Sequence, residues 1–173
     1  MDTKFNVFET LEIAEKVERD GGAQYVNAAP KFRSRHLRDI LYRLASWKGK
    51  HARSLANKRK LYSKKTGEFG RFDPNNYVLS NPRVMAALVM AMGKAQPLPC
   101  RQLTGSENQK DILKNAIARE REAVTFYRGL KAFAQDPTCE SIVEDIIAEG
   151  TRHIADLTEM LGRAHMCFDG LNT

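Results

Sequence analysis

Glutamate, tyrosine and histidine recur in this chain at one fixed offset. Glu18, Tyr25 and His51 reappear 102 residues later as Glu120, Tyr127 and His153. In each copy the histidine follows its glutamate by 33 residues and the tyrosine follows by seven. Two carboxylates and two imidazoles are ligand types suited to zinc, iron or manganese, so gathering them would make a metal site. Three residues before the two histidines stand Lys48 and Gly150. An ammonium in one copy and bare backbone in the other bear directly on what such a site can hold.

These residues need helices to position them. The spacing predicts a first helix from about Asn6 to Ala29, with Asn6 and Glu9 in capping-box positions. Phe8, Leu11, Ala14 and Val17 recur at helical spacing within it. The pair Gly21-Gly22 costs up to ~1 kcal/mol per residue relative to alanine, which points to close packing or a bend there. A second helix is expected from Ser34 to about Leu61, with Leu37, Ile40, Leu41, Leu44, His51 and Leu55 facing inward. A third begins at Ser106, capped with Gln109, and runs to Ala134. A fourth opens at Asp136 or Thr138 and ends at Gly162, leaving an irregular tail from Arg163.

The turns at 30–34 and 135–138 are short, whereas residues of about 62–105 form a long crossover. Within that crossover Asn81-Pro82 starts a short helix containing Met85, Leu88, Val89 and Met92. Two hairpins joined this way make an all-α, antiparallel four-helix bundle with one long crossover. The 102-residue offset also aligns Leu11 with Leu113, Leu41 with Val143, Ala45 with Ile147 and Leu55 with Leu157. A pseudo-twofold bundle of this kind would bring Glu18, His51, Glu120 and His153 together in its core.

Composition bounds the rest. A length of 173 residues with 42% hydrophobic content supports a single domain over residues 1–173. No apolar run approaches the ~18 residues that span a bilayer, and the N-terminus lacks a signal-peptide pattern. Cys100, Cys139 and Cys167 are odd in number and far apart, which suits a reduced, cytoplasmic setting better than a disulfide framework. The net charge of +7 is uneven: thirteen Lys and Arg face one acid, Asp39, between Lys31 and Lys65. That segment, 31–65, reads first as a solvated helix face and second as a contact for nucleic acid or another anionic surface.

The motifs resemble those of a rubrerythrin-like protein of the ferritin-like superfamily. The likeness rests on Glu18-x6-Tyr25, on the run from Ala116 to Tyr127 around Glu120, on Leu44-Ala45-x5-His51-Ala52, and on Ile147-Ala148-Glu149-x3-His153-Ile154. It covers the four long helices, about two thirds of the chain. The resemblance implies a di-iron carboxylate bundle built from a Glu on each of two helices and a Glu-x-x-His on each of the others. It implies Glu18, His51, Glu120 and His153 as metal ligands, and peroxide-reducing oxidoreductase activity served by a rubredoxin domain. Homodimers or larger homo-oligomers are also common among such relatives.

This sequence departs from the family pattern at both bridging carboxylates, which fall at Lys48 and Gly150. A further rubrerythrin carboxylate would fall at Ala123, and no rubredoxin cysteines are present. Two glutamates and one lysine leave a charge of −1, too little to compensate two cations in a low-dielectric core. A complete di-iron centre is therefore not expected.

Three arrangements stay open. One divalent ion can sit among two Glu and two His, Lys48 can replace the metal by pairing with Glu18 or Glu120, or Glu149 can be recruited at the cost of a ~100° change in direction. Three functions also stay open: a metal-binding protein with a degenerate site, a metal-free scaffold or oligomerisation bundle, and, through the basic segment 31–65, a binder of nucleic acid or anionic partners. Elsewhere the plain readings prevail. Tyr25 and Tyr127 fill the core, His36 and His165 are surface or capping residues, and Glu12, Glu15, Glu122, Glu144 and Glu159 lie on solvated faces. The Met85 to Met92 stripe is amphipathic packing or a dimer contact.

Overall fold

In a computed structural model, residues 4–70 and 102–169 are described, with the backbone alone for 165–169. Four long helices account for most of them: α1 (Val7–Ala28), α2 (Arg35–Thr66), α3 (Gln109–Lys131) and α4 (Pro137–Asp169). A 3-10 turn at Ala29–Lys31, containing Pro30, closes α1. Among the described residues no strand forms, and Phe5 makes an isolated bridge to Ala134. There Phe5 N–H donates to Phe133 O at 2.7 Å, and Gln135 N–H donates to Phe5 O at 2.9 Å. These bonds tie the start of the chain to the turn between α3 and α4.

The helix ends follow from local chemistry. Asn6 caps α1, with Glu9 answering in a full capping box. Ser34 caps α2, which continues to Thr66, five residues past the expected end. The polar run Ser63-Lys64-Lys65-Thr66 contains no breaker, so the helix stops only where Gly67 turns left-handed at φ 71°. Asn108 and Asp111, not Ser106 and Gln109, form the capping box of α3. Ser106 is instead drawn into a turn in which Thr104 hydroxyl lies 2.8 Å from its own. Asp136 caps α4 by accepting from Cys139 N–H at 2.9 Å. That helix runs through Gly162 to Asp169, so the tail from Arg163 is helical where an irregular segment was expected. An isolated glycine costs a helix only ~1 kcal/mol, and no proline follows to enforce the stop. The expected short helix from Asn81 lies outside the described residues.

α1 packs along α2 and α3 along α4, while α1 also meets α4. Buried apolar side chains gather in two clusters. One holds Leu11, Ala14, Leu55, Tyr127, Leu130, Val143 and Ile146. The other holds Leu113, Ala116, Leu157, Tyr25, Ala28, Leu41 and Leu44. Taken in that order, these seven residues of one cluster lie 102 positions from the seven of the other, whereas Phe5, Val7 and Ile13 of the first meet Glu107, Gln109 and Asn115 at that offset. The internal repeat thus exchanges the shared part of the two clusters. Each draws on all four helices, and a charged layer containing Glu18, Lys48, Glu120 and His153 is buried with them.

Two glycines set how closely the helices approach. A Cβ on Gly22 of α1 would come within 3.3 Å of Lys48 Cβ on α2. A Cβ on Gly150 of α4 would come within 2.8 Å of Val124 Cγ2 on α3. Gly22 and Val124 are repeat partners, and so are Lys48 and Gly150. The small residue therefore sits on the first helix in one half and on the second helix in the other. Of the two expectations for Gly21-Gly22, close packing is what α1 adopts, since its helix continues unbroken through both residues.

Candidate metal centre

The charged layer brings the repeated residues together around Lys48. Its stem lies over Gly21 and Gly22, which carry no side chain to oppose it, and this lets the ammonium reach the bundle centre. Lys48 Nζ donates to Glu18 Oε1 at 3.2 Å and lies 3.1 Å from Glu18 Oε2. It also makes a close ion pair with Glu120 Oε1. All three side chains are at least nine-tenths buried. Burial pulls the Lys48 ammonium down, but the Glu18 and Glu120 carboxylates outweigh it and raise its pKa above the ordinary lysine value. Burial likewise pushes Glu120 up, yet His153 and Lys48 prevail and hold it below the usual carboxylate range. Lys48 is therefore a fixed internal cation, with Glu120 a fixed anion beside it.

The histidines flank this triad symmetrically. His51 Nδ1 lies 3.7 Å from Glu18 Oε2, and His153 Nδ1 lies 3.6 Å from Glu120 Oε2. Their rings face each other with centroids 4.1 Å apart. Trp47 packs edge-on against His153 at 4.3 Å and closes one side of the pair. On the other side His51 Nε2 approaches Glu149 Oε1 at 3.3 Å. Ligand atoms of His51, Glu149 and His153 all lie within 4.8 Å of one another. The 100° offset of Glu149 on α4 thus turns it towards His51, on the face that repeat symmetry gives to Trp47 on α2.

A cavity adjoins the histidines, lined by Glu18, His51, Glu120, Tyr127, Glu149 and His153 among others. Measured as the space open to the centre of a water molecule it is about 20 Å³, and ~10–15 Å³ suffices for one water. The hydroxyl of Tyr127 is buried there without a hydrogen-bond partner. Burial, then the carboxylates of Glu18, Glu120 and Glu149, push its pKa well above the ordinary tyrosine value. Tyr127 therefore stays a neutral donor facing a group of carboxylates.

The structure places Glu18, His51, Glu120 and His153 in one layer, as their spacing predicts. It also brings Glu149, the recruit of the third arrangement, beside the histidines and gives Lys48 both glutamates at once. The weaker expectation concerned the acidic faces. Glu15 is buried, not solvated, and accepts from Arg59 Nη2 at 2.8 Å. Arg59 also pairs with Glu12 at 3.5 Å and stacks over Phe8, so a cation from the basic segment draws these acids inward. His36 behaves as a surface residue and joins Gln109 at 3.0 Å. Cys139 is a buried free thiol.

No protein-family model, no curated protein and no solved structure matches this chain. Among the described residues no helix is long and apolar enough to cross a membrane.

Proposed function

We propose that this chain is a rubrerythrin-like, ferritin-like antiparallel bundle whose metal site is degenerate and takes one divalent ion, without di-iron peroxide chemistry. The observation that carries this reading is the position of Lys48. Its ammonium contacts both Glu18 and Glu120, the two glutamates that the resemblance makes metal ligands. One cation of the pair that a complete centre would need is thereby supplied by the protein itself. A second metal next to that ammonium would be repelled in a core where unpaired charge costs several kcal/mol. Two imidazoles and a third carboxylate lie beside the triad and are ligand types that zinc, iron and manganese accept. The repeat that exchanges the shared part of the two apolar clusters supports the bundle topology, and the free thiol of Cys139 suits a reduced, cytoplasmic setting.

The test is metal analysis of chelator-treated protein prepared without a histidine tag, then supplied with zinc or ferrous iron. One metal per chain is expected, with no peroxide turnover by the iron-loaded form. Two metals per chain would overturn the degenerate site. Substantially less than one would favour a second reading, a metal-free scaffold. That reading draws on the same lysine, because Lys48 already neutralises much of the core without any ion. A third reading, binding of nucleic acid or an anionic partner, rests on the outward face of α2. Of the thirteen basic residues between Lys31 and Lys65, eight are exposed on α2 and Lys31 and Arg33 are exposed just before it, whereas Lys48, Arg59 and Arg38 are engaged internally.

A further inference from the structure

We infer that the ion is not held by the two buried glutamates but by His51, His153 and Glu149, with Glu18 and Glu120 acting as the groups that orient the imidazoles. This inference rests on the single-ion reading above and names its ligands. Each glutamate faces the Nδ1 atom of its histidine, at 3.7 Å for Glu18 and 3.6 Å for Glu120. A carboxylate on one imidazole nitrogen fixes the ring and leaves the other nitrogen to the metal, which is how histidine ligands are usually supported. For His51 that other nitrogen, Nε2, already stands 3.3 Å from Glu149 Oε1. Two ligands each ~2.0–2.1 Å from a tetrahedral ion are themselves separated by roughly 3.4 Å. The pair is thus spaced for one ion between them, and His153 completes a set within 4.8 Å.

Charge and space agree. Glu18, Glu120 and Glu149 set against Lys48 leave a net −2, which one divalent ion neutralises once both imidazoles are unprotonated. The neighbouring cavity of about 20 Å³ admits one water-sized guest. The partnerless hydroxyl of Tyr127 faces that space and would find its acceptor in a water or hydroxide on the ion. An open fourth position of this kind is what distinguishes a three-ligand site from a closed structural one. Glu149 is also the most accessible member, its side chain 31% exposed, so the ion has an entry path that the glutamate layer lacks.

The test uses the full chain, chelator-treated and untagged, titrated with Co²⁺ while the fluorescence of Trp47 is followed. Trp47 is the chain's single tryptophan and touches His153, so the bound ion quenches it. One Co²⁺ per chain is expected, with affinity lowered at least tenfold by Glu149→Gln, a partly exposed substitution whose fold is checked by circular dichroism. Imidazole ¹⁵N spectra of the Zn²⁺-loaded protein should show Nε2 ligation with Nδ1 protonated on both histidines. If the wild type binds one ion but Glu149→Gln changes affinity less than about threefold, or if Nδ1 carries the ion, the ligand assignment is overturned and the single-ion reading survives. If neither Co²⁺ nor Zn²⁺ binds the wild type, both fall together.

Discussion

At the scale of single residues, Lys48 decides the character of the core. Removing one member of a buried ion pair costs about 3–5 kcal/mol, because the remaining charge has no compensation. Lys48→Met leaves Glu18 and Glu120 facing each other without a cation. Its urea unfolding midpoint, measured in chelator, should fall accordingly, and added Zn²⁺ should restore much of the loss. The pH dependence follows from the two displaced ionisations. Glu120 is held below the unfolded carboxyl value of ~4.3, so its stabilisation is present above that pH and is lost as pH falls through the lower folded value. Lys48 is raised above ~10.4, so its stabilisation is present below that pH and is lost as pH rises through the higher folded value. The wild-type midpoint should therefore be level between these limits as far as this pair is concerned. The share of the alkaline decline that comes from Lys48 should be absent in Lys48→Met, leaving the share from Tyr127, whose raised pKa also costs stability as pH rises. The convergence of Glu18, His51, Glu120 and His153 was legible in the sequence because repeat spacing encodes it. Glu149 was legible only as one of three open arrangements, since a 100° offset on one helix gives no direction until its neighbours are placed.

At the scale of elements, the two hairpins solve one packing problem in opposite ways. Gly22 makes room for Lys48 in the first, and Gly150 makes room for Val124 in the second. Gly150→Ala forces its new methyl to within 2.8 Å of Val124 Cγ2. Overpacking of that size costs typically ~1–3 kcal/mol, and Val124→Ala in the same chain should recover most of it. Thermal unfolding of the two single variants and the double variant gives the coupling directly, and additive effects would contradict the contact. The same contact governs any attempt to rebuild a dinuclear site. Lys48→Glu with Gly150→Glu needs Val124 trimmed as well before a carboxylate fits at 150. Helix positions were readable from capping residues and periodicity, and the errors have local causes. α2 outran its expected end because lysine, serine and threonine do not break a helix, and α4 passed through Gly162 because one glycine does not either. Glu15 looked solvated because a periodic pattern cannot reveal that Arg59, 44 residues away, would reach back to meet it.

At the scale of the whole molecule, neither hairpin owns a core. Both apolar clusters take side chains from α1, α2, α3 and α4, and the charged layer joins Glu18 and Lys48 from one pair to Glu120 from the other. A chain built this way should unfold in one transition, since losing either pair strips both clusters. The halves are thus complementary parts and not independent modules. Two polypeptides covering 1–70 and 102–173, made separately, should each remain largely unstructured, and mixing them should restore helicity and shift the emission of Trp47. Stable helical structure in either fragment alone would contradict that expectation. Such a split pair would act as a reporter of proximity, with proteins fused to the cut ends free to bring the two strips of core together.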